Sequence, residues 1–389
     1  MRRPFFICAR AFGQGNLAAM NRIDLTRPDA PTLAHPGPHP VGVETLHLVN
    51  PGQIDVPGST DRIRRADRAL TVELWYPAQP GTGENAPYRT LLRDGQGLVT
   101  LQGAARRRAM QAEGAFPLVV LSHGYPGNRM LLSHFGEKLA SQGYVVASVD
   151  HTDSTYADKG ALASTLVNRP LDTAFVKAAL AGRADTAAWA IIGYSMGGYG
   201  ALVSGGAGVA EAALTMDGAP PHGLWAIHRT PVVDPGLRAI IPIGPWGRQH
   251  GLWDAAGLAQ LAVPMLLMAG SLDEISGYDT GMRRIFAEAT GVPRHLLTFV
   301  NAGHNAAAPY PAPAESWAAS PYLDFVPFDH YADPVWDTPR MNNIAQHFAR
   351  AFLDLHLKGE REKAAHLDGS FKGFGPGTDR GLIWESLAP

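Results

Sequence analysis

Short apolar runs recur along this chain, and each stops at a turn of glycine, proline, serine or asparagine. Residues 116–121, 144–150, 190–192, 263–268 and 295–300 are such runs, rich in Val, Ile and Leu. Their length and bounding turns predict buried strands, since a strand covered on both faces needs no polar alternation. Residues 70–76 instead alternate, which predicts an early antiparallel strand. The run 237–243 adds a further strand, shortened in expectation by Pro242, which cannot donate to a ladder. Between the runs lie helical patterns at 130–142, closed by Gly143, at 171–180 and at 342–357. Strands alternating with helices predict an α/β fold, a mainly parallel central sheet flanked by helices on both faces. Residues 28–40 read as a proline-rich lead-in and 80–87 as a turn-rich loop, with no internal repeat.

The chemistry sits where these runs end. Ala190-Ile191-Ile192 feeds into Gly193-Tyr194-Ser195-Met196-Gly197, and a small-residue helical pattern follows. Strand, tight turn and helix in that order form the context of a nucleophile elbow, with Ser195 at its tip. Upstream, the strand at 116–121 ends in Ser122-His123-Gly124-Tyr125-Pro126. A loop in this position supplies one of two backbone N–H groups to an oxyanion. Pro126 has no N–H, so the expected donors are Tyr125, with Gly124 next, and Met196 after the serine. Downstream, Gly270-Ser271-Leu272-Asp273 ends one strand and Asn301-Ala302-Gly303-His304 ends another. Serine, acid and histidine thus follow in the chain order of a hydrolase triad, each just past the carboxyl end of a strand. Glu274 adjoins the favoured acid, and Asp217 also follows an apolar run; Asp273 is preferred because its turn leaves a full-length strand and the histidine strand comes next.

The segments Leu121-Ser122-His123-Gly124, Gly193-Tyr194-Ser195-Met196-Gly197-Gly198, Gly270-Ser271-Leu272-Asp273 and Asn301-Ala302-Gly303-His304 together resemble the α/β-hydrolase superfamily. The similarity is to its dienelactone-hydrolase-like and platelet-activating-factor acetylhydrolase-like serine esterases, near the polyester hydrolases, and it extends over roughly 36–360. Dienelactone hydrolases use cysteine where this chain has Ser195, so the resemblance implies ester rather than lactone hydrolysis. It implies a serine carboxylesterase with Ser195, His304 and Asp273 as triad, working through an acyl-enzyme on a small-molecule ester. The alternatives are an acyltransferase using the same acyl-enzyme and a catalytically silent hydrolase fold used for binding. No organic cofactor is implied, and with no His-Glu-x-x-His or Cys-x-x-Cys no metal site is implied either. Trp246 is the candidate for substrate binding. His123 reads as structural to the oxyanion turn, and His151 and Asp153 as a polar loop at the edge of the sheet.

Composition narrows the picture. The chain has 389 residues, 46% hydrophobic and 17% charged, which suits a large core. A net charge of −2 gives no electrostatic case for nucleic acid or an anionic membrane, and no apolar run approaches a membrane span. The basic clusters Arg62, Arg64, Arg65 and Arg106, Arg107, Arg108 read as solvated faces. The single Cys8 excludes an intramolecular disulfide. Arg2 and Arg3 before Phe5-Phe6-Ile7 hint at a signal peptide, but Arg10 and Gly13 cut the run short. The expectation is a disordered leader over 1–35, with a start at Met20 conceivable, and a cytoplasmic protein rather than an exported one. Residues 36–360 then form the catalytic domain and 361–389 a C-terminal extension. Within that domain 306–340 reads as a cap over the site or as an irregular surface excursion. Oligomeric state is not fixed by the sequence.

Overall fold

The computed structural model describes residues 21–85 and 87–389. The thirteen strands described are β1 (Val41–Asp55), β2 (Arg64–Pro77), β3 (Glu84–Asn85), β4 (Tyr88–Leu91), β5 (Leu98–Leu101), β6 (Arg106–Arg107), β7 (Pro117–Ser122), β8 (Val145–Asp150), β9 (Asp185–Tyr194), β10 (Leu237–Ile243), β11 (Met265–Gly270), β12 (Arg294–Phe299) and β13 (Leu382–Leu387). The α-helices described are α1 (Ser133–Ser141), α2 (Leu162–Ala179), α3 (Met196–Ser204), α4 (Ala255–Leu258), α5 (Arg283–Glu288) and α6 (Thr338–Leu357). Eleven strands form one sheet in the order β13-β12-β11-β10-β9-β7-β8-β2-β1-β6-β3, and β4 pairs with β5 apart from it. The six strands from β8 to β12 along that order run parallel. At the flanks β2 pairs antiparallel with β8, and β13 antiparallel with β12.

Alternation along the central strands divides the core in two. Val119, Leu121, Ile192, Leu266 and Met268 face the layer that contains α1 and α6. Leu118, Val120, Ile191, Met265 and Leu267 face the opposite layer, with α2, α3, α4 and α5. Both faces are covered, so the strands read as continuous apolar runs in the sequence. The architecture is the expected α/β one. Pro242 does not shorten β10, which runs seven residues deep inside the sheet. Ile240 N donates to Pro264 O and Gly244 N to Met268 O, so the missing donor of Pro242 falls on the side of β11, while pairing with β9 continues through Pro242. Helix α2 begins nine residues before the expected 171 and carries Pro170 within it.

Part of the expected leader, 1–20, with Cys8 and Met20, lies outside the described residues. Its remainder differs from the expectation of disorder. The Asn21 amide donates to Thr100 O and Glu315 Oε2, and the Arg27 and Leu33 N–H groups donate to Asn343 and His347 of α6. Residues 361–389 also join the body, since β13 extends the main sheet by one strand. Nor is the second basic cluster wholly a solvated face. Arg107 pairs with the fully buried Glu73 at 2.6 Å, and Arg106 donates to the carbonyls of Thr82 and Gly83.

Candidate active site

Strand β9 ends at Tyr194 and α3 starts at Met196, leaving a single residue to reverse the chain. Ser195 does so at φ 54°, ψ −112°, a conformation costly for a side-chain-bearing residue and held by its surroundings. Its N–H donates to Ile243 O at 2.8 Å, and its carbonyl accepts from Tyr199 N and Trp246 N. Glycine is required on either side of this turn. A Cβ on Gly193 would stand 2.1 Å from Gly197 O, and one on Gly197 would stand 1.9 Å from Ser122 O. The two glycines of the motif therefore let strand, helix and the neighbouring oxyanion loop cross in contact.

The other two chemical groups reach Ser195 from the ends of β11 and β12. Ser195 Oγ–H donates to His304 Nε2 at 3.0 Å, and His304 Nδ1–H donates to Asp273 Oδ2 at 2.9 Å. Asp273 is buried, and its second oxygen accepts from the N–H groups of Ile275 and Ser276 at 3.0 and 2.8 Å. Those two bonds fix the carboxylate, so its free oxygen can only address the imidazole. Tyr194 lies against His304 with ring centroids 5.1 Å apart, and its hydroxyl donates to Asn305 Oδ1 at 3.1 Å. Burial pushes the Tyr194 phenol up, which keeps it neutral beside the ring.

Tyr125 and Met196 border the same cleft as Ser195. Among the hydrogen bonds of the described residues, neither backbone N–H donates to a protein acceptor. The cleft encloses about 860 Å³. Ser195, His304, Trp246, Leu272, Ile275 and Tyr125 are among the residues that line it. Part of its wall comes from 306–340: Phe325, Asp329, His330, Asp333 and Val335 also line it. That wall is tied to the histidine loop, because Asn305 donates to Asp329 O and Ala332 O, and Gly303 N donates to Asp333 Oδ2. Tyr310 and Tyr331 anchor the segment in the core.

The remaining candidates divide cleanly. Glu274 borders the cleft but is exposed, while Asp217 lies exposed in an irregular loop after a 3-10 turn (Glu211–Thr215). His151 is buried, its ring bonded to Ser122 Oγ and Asp172 Oδ2. Asp153 pairs with Arg68 at 2.8 Å. His123 Nδ1–H donates to Gly124 O at 2.7 Å, and its Nε2 accepts from His151 N. Several residues at the cleft carried no signal in the sequence. Arg93 comes from the β4–β5 turn, and its guanidinium lies 5.9 Å from the centre of the Phe325 ring. His330 bonds the Tyr156 hydroxyl at 2.7 Å, and burial, with Arg93 and His304 nearby, holds its imidazole well below the usual histidine range. Asp333 could have been suspected only from its position soon after the histidine strand.

Known proteins share parts of this arrangement. The family described as platelet-activating factor acetylhydrolase, isoform II, matches residues 34–168, and the PET hydrolase-like family matches 107–231. The first covers the oxyanion loop and the second adds Ser195, while both stop short of Asp273 and His304. Cutinase 2 of Thermobifida cellulosilytica is 28% identical over 189 residues, 48% of this chain and 59% of that protein. Cutinase cut1 of Thermobifida fusca is also 28% identical, over 48% of this chain and 49% of its own. A bis(hydroxyethyl) terephthalate hydrolase of Streptomyces coelicolor is 27% identical over 42% of each chain. The chain spans about half the length of the curated relatives it matches. Among solved structures, a ferulic acid esterase from Streptomyces cinnamoneus superposes with a TM-score of 0.64 at 22% identity, over 90% of this chain and 98% of that one.

Proposed function

We propose that this chain, which has the α/β-hydrolase fold, is a serine carboxylesterase. The observation that carries the reading is the unbroken relay from Ser195 through His304 to Asp273 at the floor of an open cleft. Serine is a weak nucleophile at its own pKa and needs a base in hydrogen-bond contact. His304 takes the Ser195 proton as Oγ attacks the ester carbonyl, and Asp273 stabilises the resulting imidazolium while holding the ring in its Nδ1–H tautomer. The N–H groups of Tyr125 and Met196 receive the oxyanion, His304 returns the proton to the leaving alcohol, and water then releases the acyl group. The cutinase and PET-hydrolase likenesses support an ester substrate of apolar character. So does the rim of the cleft, where Leu272, Ile275 and Val335 are all more than half exposed. The 306–340 wall acts as a cap that selects among substrates, with Trp246 lining the same cleft.

Turnover of p-nitrophenyl esters from acetate to long acyl chains, by the wild type and by Ser195→Ala, tests this. Activity that disappears with the hydroxyl is the expected result. A folded protein idle on every ester would overturn the esterase reading, and activity that survives the substitution would overturn the role of Ser195.

A further inference from the structure

Beneath the oxyanion loop lies a buried polar network that the triad does not use. At its centre is Arg169, on α2, about 1% exposed. One terminal nitrogen, Nη1, donates to His123 O and to Ser122 Oγ, the latter at 3.2 Å. The other, Nη2, donates to Gly124 O and to Ser154 Oγ, both at 3.0 Å. The guanidinium thus grips two consecutive carbonyls of the loop that carries Tyr125.

Gly124 O and the Tyr125 N–H belong to one peptide group, and that peptide is trans. In a trans peptide the C=O and N–H point in opposite directions from a rigid plane. Whatever holds Gly124 O therefore aims the Tyr125 N–H. His123 Nδ1–H donates to the same oxygen at 2.7 Å. Two donors on one carbonyl also polarise its peptide and make the opposite N–H a better donor. We infer that Arg169 is a positioning residue for the oxyanion hole, setting the direction of the Tyr125 N–H through its grip on Gly124 O.

The charge of Arg169 is balanced without blocking this. Arg68 and Arg169 face Asp172 and Asp153, two cations against two anions. The Ser122 hydroxyl donates to His151 Nε2 at 2.9 Å, His151 Nδ1–H donates to Asp172 Oδ2 at 3.0 Å, and Arg68 donates to both oxygens of Asp172. Every bond in this chain has a defined donor, and the Ser122 oxygen, donating its proton to His151, is left free to accept from Arg169 Nη1. Burial lowers the Arg169 pKa to about 9, which still leaves it charged at neutral pH.

The inference rests on the esterase reading, and the test separates the two. The probes are p-nitrophenyl acetate and its thiono analogue, in which sulfur, a weak hydrogen-bond acceptor, replaces the carbonyl oxygen. Arg169→Met should lower kcat on the oxygen ester by about 10- to 100-fold, less than loss of a donor itself, with KM changed less than about threefold. The thionoester, which gains less from the hole, should lose less, so the ratio of oxygen to thiono turnover falls. An equal loss on both esters, a loss confined to KM, or full activity would overturn the inference while leaving the esterase reading intact. A wild type with no Ser195-dependent turnover would overturn both. If Arg169→Met does not melt cooperatively, Arg169→Lys, which keeps a charge but loses the two-pronged grip on His123 O and Gly124 O, carries the test. An unchanged oxygen-to-thiono ratio in that folded variant would overturn the inference.

Discussion

Two Ser–His–Asp relays run through this protein, built to nearly the same dimensions. In one, Ser195, His304 and Asp273 are joined at 3.0 and 2.9 Å; in the other, Ser122, His151 and Asp172 are joined at 2.9 and 3.0 Å. Distances alone do not tell them apart, and their surroundings do. Ser195 stands on a strained turn facing an open cleft, with two backbone N–H groups beside it that have no protein acceptor among the described residues. Ser122 closes a regular strand, is buried, and its oxygen already accepts from Arg169. The histidines differ as well. Burial, with the guanidiniums of Arg169 and Arg68 nearby, holds the His151 pKa well below the usual range and so disfavours the charged form that a base must adopt. His304 is partly exposed and, among the described residues, pairs with the carboxylate of Asp273. The difference between the relays is vacant space: the Ser195 relay opens onto a cleft that can hold a substrate, while the Ser122 relay is sealed and serves as a structural tie.

The widest separation between the two relays should come from the serines. Ser195→Ala is expected to lower kcat/KM by about 10⁵- to 10⁶-fold on p-nitrophenyl butyrate. Ser122→Ala should cost less than about tenfold, since Arg169 keeps its hold on both carbonyls. Comparable losses in steady-state assays would erase the distinction. The carboxylates sharpen it by dividing activity from stability. Asp273→Asn should reduce kcat about 10⁴-fold through the wrong imidazole tautomer, with little change in urea midpoint. Asp172→Asn strips Arg68 of its buried partner and should lower unfolding free energy by about 3–5 kcal/mol.

Proton uptake offers a third contrast. Because His151 is neutral in the fold with a depressed pKa, the unfolded chain binds that proton first. The stability contributed by the neutral ring is complete above about pH 6.5 and is lost as the pH falls from there toward the depressed value. Urea titrations of His151→Gln between about pH 6 and pH 5 should therefore give a shallower slope, by up to about 1.4 kcal/mol per pH unit. A slope equal to that of the wild type would place the proton elsewhere. The smallest effect concerns the open site alone. Trp246→Ala should move the preferred acyl length with a change of about three- to tenfold in kcat/KM along an ester series, and an unchanged profile would remove Trp246 from the acyl side.

How much of this was legible in the sequence follows from the range of the interactions. Strands buried on both faces announce themselves as apolar runs, and a turn at the end of each run marks where Ser195, Asp273 and His304 must lie. The Gly193 and Gly197 pair is a local steric demand, so it too is written locally. Arg169 and Asp172 gave no such signal: their spacing is ordinary for a helix, and their partners Ser122, His151 and Arg68 lie on separate strands and loops. His151 was singled out, yet only its surroundings reveal that it is sealed from substrate. The wall at 306–340 lacks periodicity because tethers such as Asn305 to Ala332 hold it in place of regular packing. Strand β13 was missed because six exposed or half-buried residues at a sheet edge carry little apolar pattern.

That last strand has a consequence in time. β12, which leads into the His304 loop, is bordered on its outer side by β13, and Arg294 pairs with Leu387, 387 − 294 = 93 positions later in the chain. Gly381 O also accepts from Val300 N, closer still to the histidine. During synthesis, at about 5–20 residues per second, the strand that leads to His304 therefore waits several seconds with one edge bare. Ser195, Asp273 and the loop after β7 can all be seated on their strands before then. The interval leaves an unpaired row of backbone groups beside an otherwise formed sheet, where a second nascent chain could pair before residues 382–387 arrive.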